Sequence, residues 1–197
     1  MIAIAHVPEE SLLTRREVAT LAGVSLASVD KAIEQEVVEI RRGRRRQALL
    51  DTDALAVMAI LKRVGVPLPV RLKRRIRECV RASPNEGVAS TEISLTDAVL
   101  IRVTPEVAAV ARRADEYLER RARYIEANPE IKGSVPVIRG TRLSVYAVEG
   151  RSRDGDTIDD LVADYSHIPR EAFETALLYA RAHPRRGRPS RRPWREA

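Results

Sequence analysis

The chain is poor in the residues that build disulfides, aromatic cores and phosphate loops. Among its 197 residues there is one cysteine, Cys79, which excludes an internal disulfide and a cysteine metal cluster. Aromatic residues make up 4%, with a single tryptophan and a single phenylalanine, so an aliphatic core is expected. No apolar run approaches the roughly 20 residues that span a bilayer. The opening stretch "MIAIAHVPEE" has no basic region and soon turns acidic, so no secretory leader is expected. The patterns GxGxxG and GxxxxGK do not occur, which removes the usual glycine-rich phosphate cradles. His6, His167 and His183 stand far apart, without metal-ligand spacing. Asp159, Asp160 and Asp164 crowd one short segment but lack EF-hand spacing, and read as a solvated acidic face. No catalytic residue, metal or cofactor is expected. A cytoplasmic, non-enzymatic protein is the plain reading.

What is present is charge, unevenly placed. The net charge is +7 and the isoelectric point about 10. Two blocks account for it. "RRGRRR" at 41–46 carries five arginines and no acid, and residues 184–197 carry six arginines against Glu196. Outside these blocks the chain is net acidic.

The stretch "LLTRREVATLAGVSLASVDKAIEQ" predicts a helix, a glycine turn and a second helix. Thr14 and Glu17 form a capping box, Gly23 suits the turn, and Ser25 caps the second helix. Leu26, Val29 and Ile33 put an apolar stripe on that helix and leave Ser28, Asp30 and Lys31 outside. Two short strands, Val37–Arg41 and Gln47–Leu50, are expected around an Arg-Gly turn, followed by an apolar helix after Asp51 or Thr52. This is a winged helix-turn-helix pattern. Arg41, Arg42, Arg44, Arg45 and Arg46 on the wing suit phosphate contacts.

Pro67 and Pro69 end that helix, and a basic helix over 70–82 follows; its arginines and lysine could reach DNA, but they read first as its wet face. "TEISLTDAVLIRVTP" predicts a hairpin turning near Thr96 and Asp97, with an edge strand open to a second copy. A helix of about 34 Å follows from Thr104 as cap and Pro105 as first residue. Its stripe is Val107, Val110, Ala111, Ala114, Leu118 and Ile125. Short β-runs "VPVI" and "LSV" flank the turn "RGT". Two helices come next, one capped by Thr157 and one from Pro169 with Ala172, Phe173, Ala176, Leu177 and Ala180 inward. The fold class is therefore mainly α with small β hairpins. Four regions are expected: a winged domain over 1–82, a hairpin and connecting helix over 83–128, a helical helix-turn-helix-like domain over 129–183, and a disordered basic tail over 184–197.

Two resemblances rest on these residues. "TRREVATLAGVSLASVDKAIE" with the hairpin after it resembles the winged helix-turn-helix of the MerR and excisionase type. That likeness implies a second helix in the DNA major groove, read by Ser25, Ser28 and Lys31. "NPEIKG", "PVIRGTR", "GDTIDDLVADY" and "REAFETALLYA" resemble the domain-of-unknown-function family four-three-three, found in bacterial antitoxins of the VapB type. Ser144 and Ser166 stand where that family often has proline. The likeness implies an antitoxin whose partner is a PIN-domain ribonuclease toxin of the VapC type, with a Mg²⁺-binding acidic cleft. In such a pair, Arg185, Arg186, Arg188, Arg191 and Arg192 would meet the cleft carboxylates and Trp194 would anchor the segment. The other partners expected are operator DNA, bound as a homodimer, and no membrane. The acidic balance between Thr141 and His183 argues against phosphate binding there, leaving that domain to folding and dimerisation. The competing expectation is a stand-alone transcriptional regulator whose tail adds non-specific DNA affinity.

Overall fold

The computed structural model describes residues 8–43, 47–82, 92–97, 99–127 and 135–185, apart from the side chains of Val107, Ala108 and Ala111. Among these the protein is mainly helical, with small antiparallel hairpins. The first helix, α1 (Arg15–Ala22), starts where the sequence says it should. Thr14 accepts the Glu17 amide while the Glu17 carboxylate takes the Thr14 amide. It ends at Gly23, whose φ of 63° lies in the left-handed region, and α2 (Leu26–Glu34) begins at the Ser25 cap. A residue with a Cβ at position 23 would be strained and would also meet Lys62 Nζ at 2.8 Å.

The hairpin after α2 is shorter than expected. Its strands are β2 (Ile40–Arg42) and β3 (Ala48–Leu50), because Val37 and Val38 are buried in the turn that leaves α2. A two-residue strand before α1, β1 (Leu13–Thr14), makes a third member, and the sheet runs β1-β3-β2, all antiparallel. Two residues are too few for the alternation that marks a strand in sequence. Helices α3 (Asp53–Val64) and α4 (Val70–Ala82) follow, then β4 (Glu92–Thr96) and β5 (Val99–Arg102). Val99 and Leu100 on β5 are exposed.

Helix α5 (Pro105–Tyr124) spans about 30 Å and packs against α1, α3 and α8. Thr104 holds the N-cap position without a side-chain cap bond to a helix amide, and Pro105 opens the helix. The helix ends one residue before Ile125, which belongs to a strand instead of the expected stripe. Strand β6 (Ile125–Glu126) pairs with β7 (Val137–Ile138), and Arg139 supplies the stop. Its guanidinium donates to the carbonyls of Ala122 and Arg123 at 2.9 and 3.0 Å, and its amide donates to Tyr124. These carbonyls have no partner inside the helix.

The expected β-run at 143–145 is mostly a helix start. Ser144 bridges to Val137, but its hydroxyl accepts the Ala147 amide and begins α6 (Val145–Asp154). A serine can serve both the strand and the cap, which is why the segment reads as β by composition. Helix α7 (Ile158–Asp164) starts on a second capping box, Thr157 with Asp160, and α8 (Arg170–Ala182) starts after Pro169.

Two cores result. The first gathers Leu13, Val18, Val29, Leu50, Leu55 and Ile60, and it continues past residue 82 to Ile93, Leu95, Val103, Ala114 and Leu118. The second forms around Phe173 with Ile138, Val145, Val148, Leu161 and Ile168. Each fully buried side chain of this size contributes roughly 1.5–3 kcal/mol. Helix α8 serves both, because its Leu178 packs on the first core while Ala172, Phe173, Ala176, Leu177 and Ala180 fill the second.

Candidate nucleic-acid interface

The exposed face of α2 carries the residues expected from sequence. Ser25, Ser28 and Lys31 are all exposed. Ser25 is partly spent: its hydroxyl accepts the Ser28 amide at 3.1 Å and lies 2.8 Å from the Ser28 hydroxyl. Asp30 is tied to Arg15 at 2.6 Å, which keeps its charge off the face. Beside α2 runs an open groove of about 490 Å³, lined by Ser25, Ser28, Lys31, Lys62, Val66 and Lys73 among others.

Lys62 has no mark in the sequence, and Lys73 belongs to the basic helix read first as a wet face and second as able to reach DNA. Lys62 lies in the last turn of α3, where a cation also suits the helix dipole, and its ammonium lies 3.4 Å from the Ala22 carbonyl. Lys73 donates to the Gln35 amide oxygen at 3.0 Å. Neither position falls in a charge run that points at α2; only the packing of α3 and α4 brings them to one side of it. Three ammonium groups on one groove suit a phosphate backbone, since lysine binds phosphate as a point charge.

The wing is less uniform than its composition. Arg41 is half-buried and donates from Nε to both Asp51 oxygens at 3.0 and 3.2 Å, so its charge is engaged within the protein. Arg42 is exposed and, among the described residues, makes no ion pair. Arg44, Arg45 and Arg46 lie outside the described residues.

Helix α4 is spent in another way. Arg74 donates to the Gln35 carbonyl at 3.0 and 2.9 Å, and Arg77 to the Glu36 carbonyl at 2.8 Å. Glu36 has a φ of 55°, costly for a residue with a Cβ. The two guanidinium groups hold the carbonyls where α2 ends and so fix this strained turn. Arg81 forms a two-pronged pair with Glu39 at 2.8 and 2.7 Å, and that bond holds the Glu39 carboxyl below the usual range. The wet face read from sequence is largely a brace behind α2.

The acidic segment of α7 is likewise occupied. Asp160 caps its own helix, Asp159 pairs with Arg170, and Asp164 shares Arg151 with Asp156 at 2.6 and 2.5 Å. Among the described residues no group of three or more His, Cys, Asp or Glu could hold a metal ion. Nor is any described helix long and apolar enough to cross a membrane.

Of the arginine- and proline-rich segment, only its start is described. Arg185 sits over the Tyr146 ring, 5.1 Å from its centroid. Arg186, Arg188, Arg191, Arg192 and Trp194 lie outside the described residues.

A polar node joins α1 to the C-terminal half. Glu17 is fully buried. Its carboxylate accepts the Tyr117 hydroxyl at 2.8 Å and Arg121 Nη1 at 2.6 Å, and His183 Nε2 lies 4.0 Å away. Burial pushes the Glu17 carboxyl up, but Arg121, then His183 and the Thr14 amide, outweigh it and hold the group below the usual range. Burial and the Glu17 charge push the Tyr117 hydroxyl well up and Tyr179 to about 12.

Known proteins match this chain in part. An uncharacterized protein, y4eO, of Sinorhizobium fredii is 31% identical over 88 residues, which are 45% of this chain and 39% of that protein's length. The crystal structure of Rv2018 from Mycobacterium tuberculosis aligns over 87% of this chain and 98% of that one, with 17% identity and a TM-score of 0.38. Residues 125–180, which run from β6 to within two residues of the end of α8, match the family model described as a protein of unknown function (DUF433).

Proposed function

We propose that this protein is a DNA-binding antitoxin. In this reading α2 enters the major groove of operator DNA, presenting Ser28 and Lys31, with Ser25 at its cap. Lys62, Lys73 and Arg42, with Arg44, Arg45 and Arg46, meet the phosphates. The observation that carries the DNA-binding part is the joint exposure of Ser28 and Lys31 beside two further lysines on one groove. Residues 184–197 then capture a PIN-domain ribonuclease toxin, their arginines pairing with the acidic cleft and Trp194 filling a pocket. A homodimer places two such helices on a two-fold operator.

The second reading, a regulator without a toxin partner, draws on the Arg185–Tyr146 contact. A guanidinium already stacked on its own domain is less free to leave it.

The experiment is co-expression of the full chain, and of a variant lacking residues 184–197, with the protein encoded beside it. Retention of the neighbour by the full chain alone is the expected result. Retention by both places capture in the folded body, and retention by neither leaves the regulator reading. A gel shift with the duplex directly upstream of the coding sequence tests the other half; both forms are expected to bind it.

A further inference from the structure

A capping carboxylate needs one oxygen and no burial, as Asp160 demonstrates at the exposed start of α7. Glu17 differs in both respects. Its Oε2 completes the cap of α1 at 2.6 Å from the Thr14 amide, while Oε1 is given to Tyr117 and Arg121 of α5. Arg121 then continues from Nη2 to the carbonyls of Glu10 and Leu12, at 2.7 and 3.1 Å. One guanidinium therefore grips both the cap and the chain leading into it. On the far side stands the end of α8. His183 stacks on Tyr179 with ring centroids 4.1 Å apart, Nδ1 lies 3.0 Å from the Tyr179 carbonyl, and Nε2 faces Glu17.

We propose that Glu17, Tyr117 and Arg121 are positioning residues for the DNA-reading face. Through them α5 and the end of α8 set the pose of α1, and with it the pose of α2. This rests on the DNA-binding reading above and adds a role for the C-terminal domain within it. The physical ground is stringency. A charged group with no exposure beside a guanidinium that is 15% exposed tolerates little misplacement, because an unpaired charge there is costly. The pose is handed on to α2 by a rigid path: Val18 and Val29 are both fully buried in the same core, and Gly23 closes the turn between the helices. Whatever engages the chain just after His183 acts on a residue that borders this node.

The test is amide hydrogen exchange on the full chain. Tyr117→Phe keeps the ring and removes only the hydroxyl. Arg121→Met removes the charge, and Arg121→Lys returns it. Without DNA, Tyr117→Phe and Arg121→Met are expected to speed exchange about tenfold at both Val18–Ala22 of α1 and Tyr179–Ala182 of α8. Arg121→Lys is expected to restore most of it. Arg120→Met, which breaks an exposed pair with Glu174, is expected to change neither helix. Faster exchange confined to α5, or equal effects from Arg120→Met, overturns the proposal.

With the duplex from upstream of the coding sequence, the parent protein is expected to gain protection at α2 and at the end of α8 together, and Tyr117→Phe at α2 alone. Protection of α2 without α8 in the parent overturns the positioning role and leaves DNA binding intact. A duplex that protects neither helix removes the DNA-binding reading, and this role with it, even where the variants show α1 and α8 linked.

Discussion

The molecule contains two capped helix pairs built on the same local signal and used differently. In the first, α1 and α2 meet across Gly23; in the second, α7 and α8 meet across Tyr165–Pro169, with buried Ile168 in place of a glycine. Both begin on a threonine with a carboxylate three residues later. The first carboxylate is buried and shared with α5, while the second stays at the surface and serves its own helix alone. The outer faces diverge as well. Helix α2 shows serines and a lysine, whereas Asp159 and Asp164 of α7 and Glu174 of α8 are paired with Arg170 and Arg151. A capping box therefore fixes where a helix starts, and tertiary partners decide what else the carboxylate does.

The largest expected effect separates the two boxes. Glu17→Ala removes a cap and leaves Arg121 facing a buried void, so it is expected to cost about 3–5 kcal/mol. Thr157→Ala removes the cap of α7 only and is expected to cost about 1 kcal/mol. Urea midpoints of the two variants check this; equal losses would erase the distinction.

The same contrast has a pH signature. The Glu17 carboxyl titrates below the ordinary glutamate value of 4.5 when folded. Its contribution to stability is therefore fully present above pH 4.5 and is lost as pH falls through the lower folded value. Unfolding followed from pH 7 down to pH 2 should show this loss in the parent and a shallower one in Glu17→Gln. A parallel pair of curves would mean that the Glu17 charge is not held by the fold.

The comparison also shows what the sequence carries and what it hides. The Thr14–Glu17 capping box, the Thr157 cap, the Gly23 turn, the Ser25 cap and the inner face of α8 are legible because each signal sits within a few residues, whereas Asp160, part of a second capping box, reads in sequence as a solvated acid. The candidate face on α2 is legible for the same reason. The node around Glu17 is not, since Tyr117 and Arg121 lie 100 and 104 residues away and leave no periodic trace. The arginines of α4 mislead in a related way. Their run suggests a solvated face, yet Arg74 and Arg77 donate to the backbone carbonyls of Gln35 and Glu36, which sequence cannot mark as acceptors awaiting a donor. Strand β1 is missed because two residues hold no alternation, and α6 because Ser144 serves a bridge and a cap at once.

Gly23→Ala sharpens the comparison of the turns. At a φ of 63° the added Cβ is expected to cost about 1–2 kcal/mol. It also displaces Lys62 Nζ, so the groove beside α2 changes shape. No residue from Tyr165 to Pro169 is a glycine or has a positive φ, so Ser166→Ala is expected to be near neutral. A differential scan of both variants tests the asymmetry.

The smallest effect on stability carries the sharpest functional contrast. Lys31→Ala on α2 and Glu171→Lys on α8 each alter one exposed charge, and each is expected to change stability by no more than about 0.5 kcal/mol. Their effects on DNA binding should part. If Lys31 releases a counterion from a phosphate, its loss lowers the slope of log affinity against log salt by about one. Glu171→Lys places a cation on the other helix pair, away from the groove of Lys31, Lys62 and Lys73, and should leave that slope unchanged. Titrations of the upstream duplex at several salt concentrations read both variants at once. A slope raised by Glu171→Lys would mean that α8 also lies against DNA, and the division of labour between the two helix pairs would have to be redrawn.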